Sequence, residues 1–379
     1  MRKELVFVLL ALFLCAGCNG NKKKMNGEHD LDAANITLDD HTISFYYNWY
    51  GNPSVDGEMK HWMHPIALAP GHSGDVGAIS GLNDDIACNF YPELGTYSSN
   101  DPEIIRKHIR MHIKANVGVL SVTWWGESDY GNQSVSLLLD EAAKVGAKVC
   151  FHIEPFNGRS PQTVRENIQY IVDTYGDHPA FYRTHGKPLF FIYDSYLIKP
   201  AELFAAGGEI SVRNTKYDGL FIGLTLKESE LPDIETACMD GFYTYFAAIG
   251  FTNASTPANW KSMQQWAKAH NKLFIPSVGP GYIDTRIRPW NGSTTRDREN
   301  GKYYDDMYKA AIESGASYIS ITSFNEWHEG TQIEPAVSKK CDAFEYLDYK
   351  PLADDYYLIR TAYWVDEFRK ARSASEDVQ

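Results

Sequence analysis

Residues 42–50 read TISFYYNWY, a β-branched and aromatic run that ends in tyrosine, asparagine and tryptophan. Two α/β architectures begin with such a strand. An open, doubly wound sheet places a glycine-rich phosphate loop directly after it, because only glycine lets the backbone approach a pyrophosphate. Here the strand runs into Tyr46-Tyr47-Asn48-Trp49-Tyr50, where bulky rings stand in place of glycines. The stretch therefore points to the other architecture, a closed barrel.

The rest of the chain keeps the same rhythm. Further strand-like runs occur at 117–124, 148–153, 188–193, 219–224, 241–245, 273–278 and 318–323, and most gaps leave room for a helix. Asp101-Pro102 supplies an N-cap followed by proline at the first helical position, with Ile105, Ile109 and Ile113 on one face. Ser160-Pro161 repeats the device, and helical spacing also marks 134–145, 259–270 and 356–368. The connection between the fifth and sixth strands carries the weakest helical pattern. Eight strands alternating with helices predict a (β/α)₈ TIM barrel with extended loops at the C-terminal face of the strands. The longest of these loops is 52–100, which carries Trp62 and His64.

The 379 residues are 44% hydrophobic and 13% aromatic, enough for a large core, and no linker-like segment interrupts 40–370. Forty-nine Asp and Glu outnumber 36 Lys and Arg, so no nucleic-acid partner is expected, since such binding draws on clustered cations. Ahead of the barrel, Arg2-Lys3 and the apolar residues 5–14 form a stretch shorter than the ~20 residues of a membrane-spanning helix. Cys15-Ala16-Gly17-Cys18 resembles a bacterial lipobox, with Cys15 where leucine is usual. The expectation is a lipoprotein signal peptide (1–17), lipidation of Cys18, a polar tether (18–40) and a single (β/α)₈ domain (41–379). The protein would then be exported to the outer membrane of a Gram-negative bacterium as a monomer, touching the membrane only through its N-terminal lipid anchor. Cys88, Cys150, Cys238 and Cys341 lack C-x-x-C spacing, and Cys150 reads as a small buried hydrophobe.

Chemistry in a barrel gathers at the carboxyl ends of its strands. Those ends hold Tyr46, Tyr47 and Trp49; Trp124, Trp125 and Glu127; His152 and Glu154; Tyr193 and Asp194; Tyr243 and Tyr245; Tyr282 and Asp284; and Asn325, Glu326, Trp327, His328 and Glu329. Aromatic faces stack on the C–H surfaces of sugars, while carboxylates and amides bind hydroxyls. The mixture suits a carbohydrate cleft.

Glycoside cleavage needs one carboxyl that keeps a proton near neutral pH and another that is ionised. Glu326 and Glu329 form a candidate pair, with Trp327 and His328 placed to set their environments. His328-Glu329 lacks the second histidine of the zinc-protease helix motif, so no metal or other cofactor is expected. A surface-tethered glycan-binding protein without catalysis is the alternative, and a different retaining glycosidase on the same barrel is another.

Five segments carry a closer resemblance: FYYNWYGNP (45–53), NFYPELGTYSS (89–99), TWW (123–125), GPGYIDTRIRPWN (279–291) and ISITSFNEWHEGTQIEP (319–335). On these the chain resembles glycoside hydrolase family 99, the endo-α-1,2-mannosidases and endo-α-1,2-mannanases. The resemblance implies a metal-free, retaining enzyme that cuts internal α-1,2-mannosidic bonds in α-mannan or other mannose-rich oligosaccharides. It implies that Glu329 is the general acid/base, and that Glu326 draws the proton from the substrate's own 2-hydroxyl to give a 1,2-anhydro sugar. Tyr46, Glu154 and Tyr245 would line the subsite of the cleaved mannose, and Trp125 would floor the next one. His152, Asn325, Trp327 and His328 complete the expected binding set. Tryptophan at 125 resembles bacterial members, where animal members carry tyrosine, which points to a mannan-degrading enzyme.

Overall fold

All eight expected strands form in the computed structural model, which describes residues 37–376. They are β1 (Asp39–Tyr46), β2 (Val117–Trp124), β3 (Lys148–Ile153), β4 (Lys187–Ile192), β5 (Leu220–Leu224), β6 (Gly241–Tyr243), β7 (Leu273–Ile275, continued as Ser277–Val278) and β8 (Ile319–Ile321). Each pairs in parallel with its neighbours in sequence, and β1 pairs with both β2 and β8. The barrel closes through β7, whose first part pairs with β6 and second part with β8. Pro276 divides the two parts because it has no N–H to give a ladder.

Each strand is followed by a helix: α1 (Pro102–Lys114), α2 (Asn132–Val145), α3 (Pro161–Tyr175), α4 (Ala201–Phe204), α5 (Leu231–Thr236), α6 (Trp260–Ala269), α7 (Lys302–Ser314) and α8 (Tyr356–Glu376). The two expected caps are made: Asp101 accepts from the N–H of Glu103, and Ser160 and Thr163 form a reciprocal capping box. α5 spans only six residues, which explains the weak pattern between the fifth and sixth strands; α4, after β4, spans four. α7 has no cap signal in sequence; its N-cap is Gly301 in a left-handed conformation, with no side-chain bond.

Inside the barrel, Phe45, His152, Phe191 and Tyr243 form one aromatic layer. Phe45 lies 4.7 Å from His152 and 5.2 Å from Phe191, and Phe191 lies 5.0 Å from Tyr243, between ring centroids. All four are fully buried. Because side chains alternate across a strand, the residue two further on faces the barrel axis one level higher. That rule places Tyr47, Glu154, Tyr193 and Tyr245 at the mouth. The long loop after β1 folds over this end, with Trp62 stacked on Tyr50 at 4.2 Å and a short antiparallel pair at His64–Pro65 and Ala78–Ile79. Cys88 and Cys150 are buried, and all four cysteines of the described residues are free thiols. The signal segment, Cys18 and most of the tether lie outside the described residues.

Candidate active site

The mouth holds a cleft of about 270 Å³ lined by Tyr47, Trp49, His61, His64, Trp125, Glu154, Pro155, Tyr193, Tyr245, Ile287, Arg288, Glu326, His328 and Glu329. Both expected catalytic glutamates, Trp125, Glu154, Tyr245 and His328 are therefore brought together. Tyr46, His152, Asn325 and Trp327 are not.

Tyr46 is a correction of one residue. It follows Phe45, which faces inward, so it points out of the barrel, where its hydroxyl lies 2.9 Å from His108 Nδ1 on α1. Tyr47 takes the position in the cleft, and its hydroxyl bonds that of Tyr245. His152 stands one level too low: buried beneath the cleft, its Nε2 lies 2.7 Å from the Tyr243 hydroxyl, and its Nδ1 is 2.9 Å from Glu154 Oε1 with no in-line hydrogen bond between them. Asn325 is a clamp, not a sugar ligand. Its amide accepts from Tyr47 N–H at 2.7 Å and donates to Tyr47 O at 2.8 Å, tying the β8 loop to the end of β1. Trp327 turns into the core, where its indole N–H donates to Glu334 Oε2 at 2.9 Å.

With Asn325 and Trp327 anchored below, the intervening and following residues of the loop turn upward. Glu326 is held by its own N–H donating to Ser323 Oγ at 2.7 Å, and its carboxylate accepts the N–H of His328 at 3.1 Å. The carbonyl of Glu329 accepts from Ile283 N–H at 2.8 Å. Gly330 then leaves in a left-handed conformation (φ 62°), where a Cβ would stand 2.6 Å from Ile283 Cγ2, so only glycine fits.

The two carboxyls occupy different surroundings. The Glu326 side chain is 4% exposed and that of Glu329 is 23% exposed. Burial raises the pKa of Glu326 well above the carboxylate range, and the charge of Glu329 adds to the rise. Glu329 is pushed up to about 7, by burial first; Arg288, 3.9 Å away, opposes the rise, while Asp284 and Glu154 add to it. His328 supplies no cation to this pair: burial, with His61 and His64 nearby, lowers its ring to about 3. It acts through its backbone N–H, and its ring is tied to the carbonyl of His61.

Several cleft residues carried weak signals in the sequence. Tyr47, Trp49 and Tyr193 stood among the strand-end aromatics, but nothing local marked them over their neighbours. His61 and His64 come from the long loop, and Trp49 stacks on His61 at 4.5 Å and 3°. Arg288 lies within the 279–291 segment, and only folding shows that it faces Glu329. Among the described residues, no group of three or more His, Cys, Asp or Glu is arranged to hold a metal ion.

A raised carboxyl makes a stability prediction. Glu329 keeps its proton to about pH 7 in the folded state, against 4.5 as its ordinary value. As pH rises through that window the unfolded chain releases its proton first, so the stability this group contributes below pH 4.5 is lost by pH 7 and above. Glu329→Gln is expected to melt higher than wild type at pH 8 and equally near pH 4.5, measured by thermal unfolding across pH. A wild type that melts higher at pH 8 would show a stabilised carboxylate instead.

A TIM barrel whose mouth joins two raised carboxyls to a wall of aromatic rings defines a glycoside hydrolase. The chain belongs to glycosyl hydrolase family 99, whose model matches residues 37–370. It is 47% identical to a mouse protein named glycoprotein endo-alpha-1,2-mannosidase, over 87% of this chain and 75% of that one. A human protein named glycoprotein endo-alpha-1,2-mannosidase-like protein is also 47% identical, with 87% and 76% covered. Among solved structures, the GH99 endo-alpha-mannosidase from Bacteroides thetaiotaomicron is 98% identical and superposes with a TM-score of 0.88, covering 89% of this chain and 99% of that one.

Proposed function

We propose that this protein is a retaining endo-α-1,2-mannosidase acting on α-mannan or related mannose-rich glycans. The reading is supported by one observation above others: a single loop presents Glu326 and Glu329 to the same aromatic cleft in two different electrostatic settings. Relatives named endo-alpha-1,2-mannosidase supply the linkage.

The reactive form is the one in which Glu329 holds the proton and Glu326 is ionised; burial disfavours that Glu326 carboxylate, which makes it the stronger base whenever it forms. Glu326 takes the proton of the 2-hydroxyl, that oxygen attacks the anomeric carbon, and Glu329 protonates the departing glycosidic oxygen. The product of this half is a 1,2-anhydro sugar. Glu329, now a carboxylate, takes a proton from water, whose oxygen opens the strained ring, and Glu326 returns its proton to the 2-oxygen. Burial makes Glu326 a strong base, as removal of a hydroxyl proton requires, and a pKa near 7 suits Glu329 to give and regain a proton at neutral pH. Mannose fits the scheme because its axial 2-hydroxyl can reach the face opposite an α leaving group. The attacking oxygen is already tethered to the reacting carbon, a gain in proximity.

The test is to incubate protein lacking residues 1–18 with α-1,2-branched yeast mannan and follow products by mass and by NMR. Short oligosaccharides released first as the α anomer are expected. Release first as the β anomer would overturn retention. Binding with no release would make the cleft a glycan receptor.

A further inference from the structure

Arg288 is the cation nearest the proposed acid/base, and its position is not left to chance. It lies on the loop that leaves β7, with its Nη1 3.0 Å from Asp284 Oδ2 and 3.9 Å from Glu329 Oε1. Asp284 is fully buried. The same oxygen also accepts from the Tyr282 hydroxyl at 2.8 Å and from Asn291 Nδ2 at 2.9 Å, so the carboxylate is fixed on three sides. A bidentate clamp of Arg288 on Glu329 would hold that glutamate permanently ionised. The observed arrangement gives the short contact to Asp284 and leaves the longer one for Glu329.

We propose that Asp284 and Arg288 form a fixed counter-ion assembly for Glu329: Asp284 anchors the guanidinium, and the guanidinium supports the carboxylate form of Glu329 that the water-consuming half of the reaction uses. The place of this assembly in catalysis rests on the reading of Glu329 as acid/base. The two partners act in opposite directions. The charge of Arg288 favours the carboxylate of Glu329, while the charge of Asp284 opposes it. Asp284 thus keeps Arg288 from taking the proton-donating form away, and Arg288 keeps burial from making that form permanent.

Other groups face Glu329 from each surrounding element. Glu326 and His328 come from its own loop, and Glu154 from the end of β3. The hydroxyls of Tyr47, Tyr193, Tyr245 and Tyr282 approach from β1, β4, β6 and the β7 loop, and all four stay protonated because burial raises them. His61 and His64 line the same cleft from the long loop. Arg288 is the only Lys or Arg among the residues lining the cleft.

The test reads the charge of Glu329 directly, by ¹³C NMR of protein labelled at the glutamate δ-carbon, in a Glu326→Gln background that leaves one titrating carboxyl on the loop. The Glu329 signal is identified by its loss when Glu329→Gln is added. Arg288→Met is expected to move its midpoint up by about one pH unit or more, the usual effect of losing an opposite charge at 4–6 Å. Arg288→Lys should move it much less, and Asp284→Asn should move it down, since Arg288 then keeps Glu329 as its remaining carboxylate partner. Arg288 is one-third exposed, so its variants are expected to fold even if Asp284→Asn does not. An unmoved midpoint in Arg288→Met overturns the inference. Midpoints that move as expected, beside a Glu329→Gln enzyme that hydrolyses mannan at the wild-type rate, would uphold the counter-ion assembly and sink the acid/base reading instead.

Discussion

Glu329→Ala is expected to lose hydrolysis of natural α-mannan by roughly 10²–10⁴-fold, the contribution of a positioned general acid, while keeping part of its activity on substrates with an activated leaving group. The difference follows from the chemistry at each bond. A sugar alkoxide leaves poorly without a proton, whereas a fluoride or nitrophenolate needs none. Glu329 is suited to the task because burial lifts it to about 7, and Arg288 keeps it from rising further. Its carbonyl, bonded to Ile283 N–H, holds the backbone in place when the side chain is cut back, so a folding defect is not the expected cause. Paired rate measurements on mannan and on an α-mannobiosyl fluoride decide the matter. Equal loss on both substrates would remove the acid role from this residue.

Glu326→Gln is expected to collapse turnover on both substrates alike, while the protein still binds mannan oligosaccharides in calorimetry. The step lost is the attack on the anomeric carbon, which no leaving group can replace. Glutamine preserves shape and an oxygen to accept the His328 N–H, so the loop should keep its conformation. What it cannot do is take the 2-hydroxyl proton. Turnover near wild type would sink the base assignment and the anhydro-sugar route with it. Loss confined to mannan, with normal rates on the activated substrate, would transfer the acid role to Glu326.

Much of this molecule is legible along the chain, for local reasons. Strand runs such as 117–124 and 148–153 coincide with β2 and β3 residue for residue, because the strand signal lies in neighbouring side chains. Asp101-Pro102 and Ser160-Pro161 mark helix starts because capping is a bond between adjacent residues. The acidic end of β8 identifies the loop of Glu326 and Glu329, since a barrel strand leads straight into its mouth.

The sequence by itself thus determined the alternation of strands and helices, the barrel, and the loop that carries the two carboxyls. Only the tertiary structure decided which side chains meet in the cleft. Tyr46 and Tyr47 are chemically alike and adjacent, and their opposite fates depend on which one shares the inward face of Phe45. Asn325 and Trp327 look like sugar ligands beside Glu326 until the fold shows their partners to be Tyr47 and Glu334. Arg288, His61 and His64 reach Glu329 and His328 from loops distant in sequence. Proton affinities belong to the same class of property, because burial and the distance between charges exist only once the chain has closed.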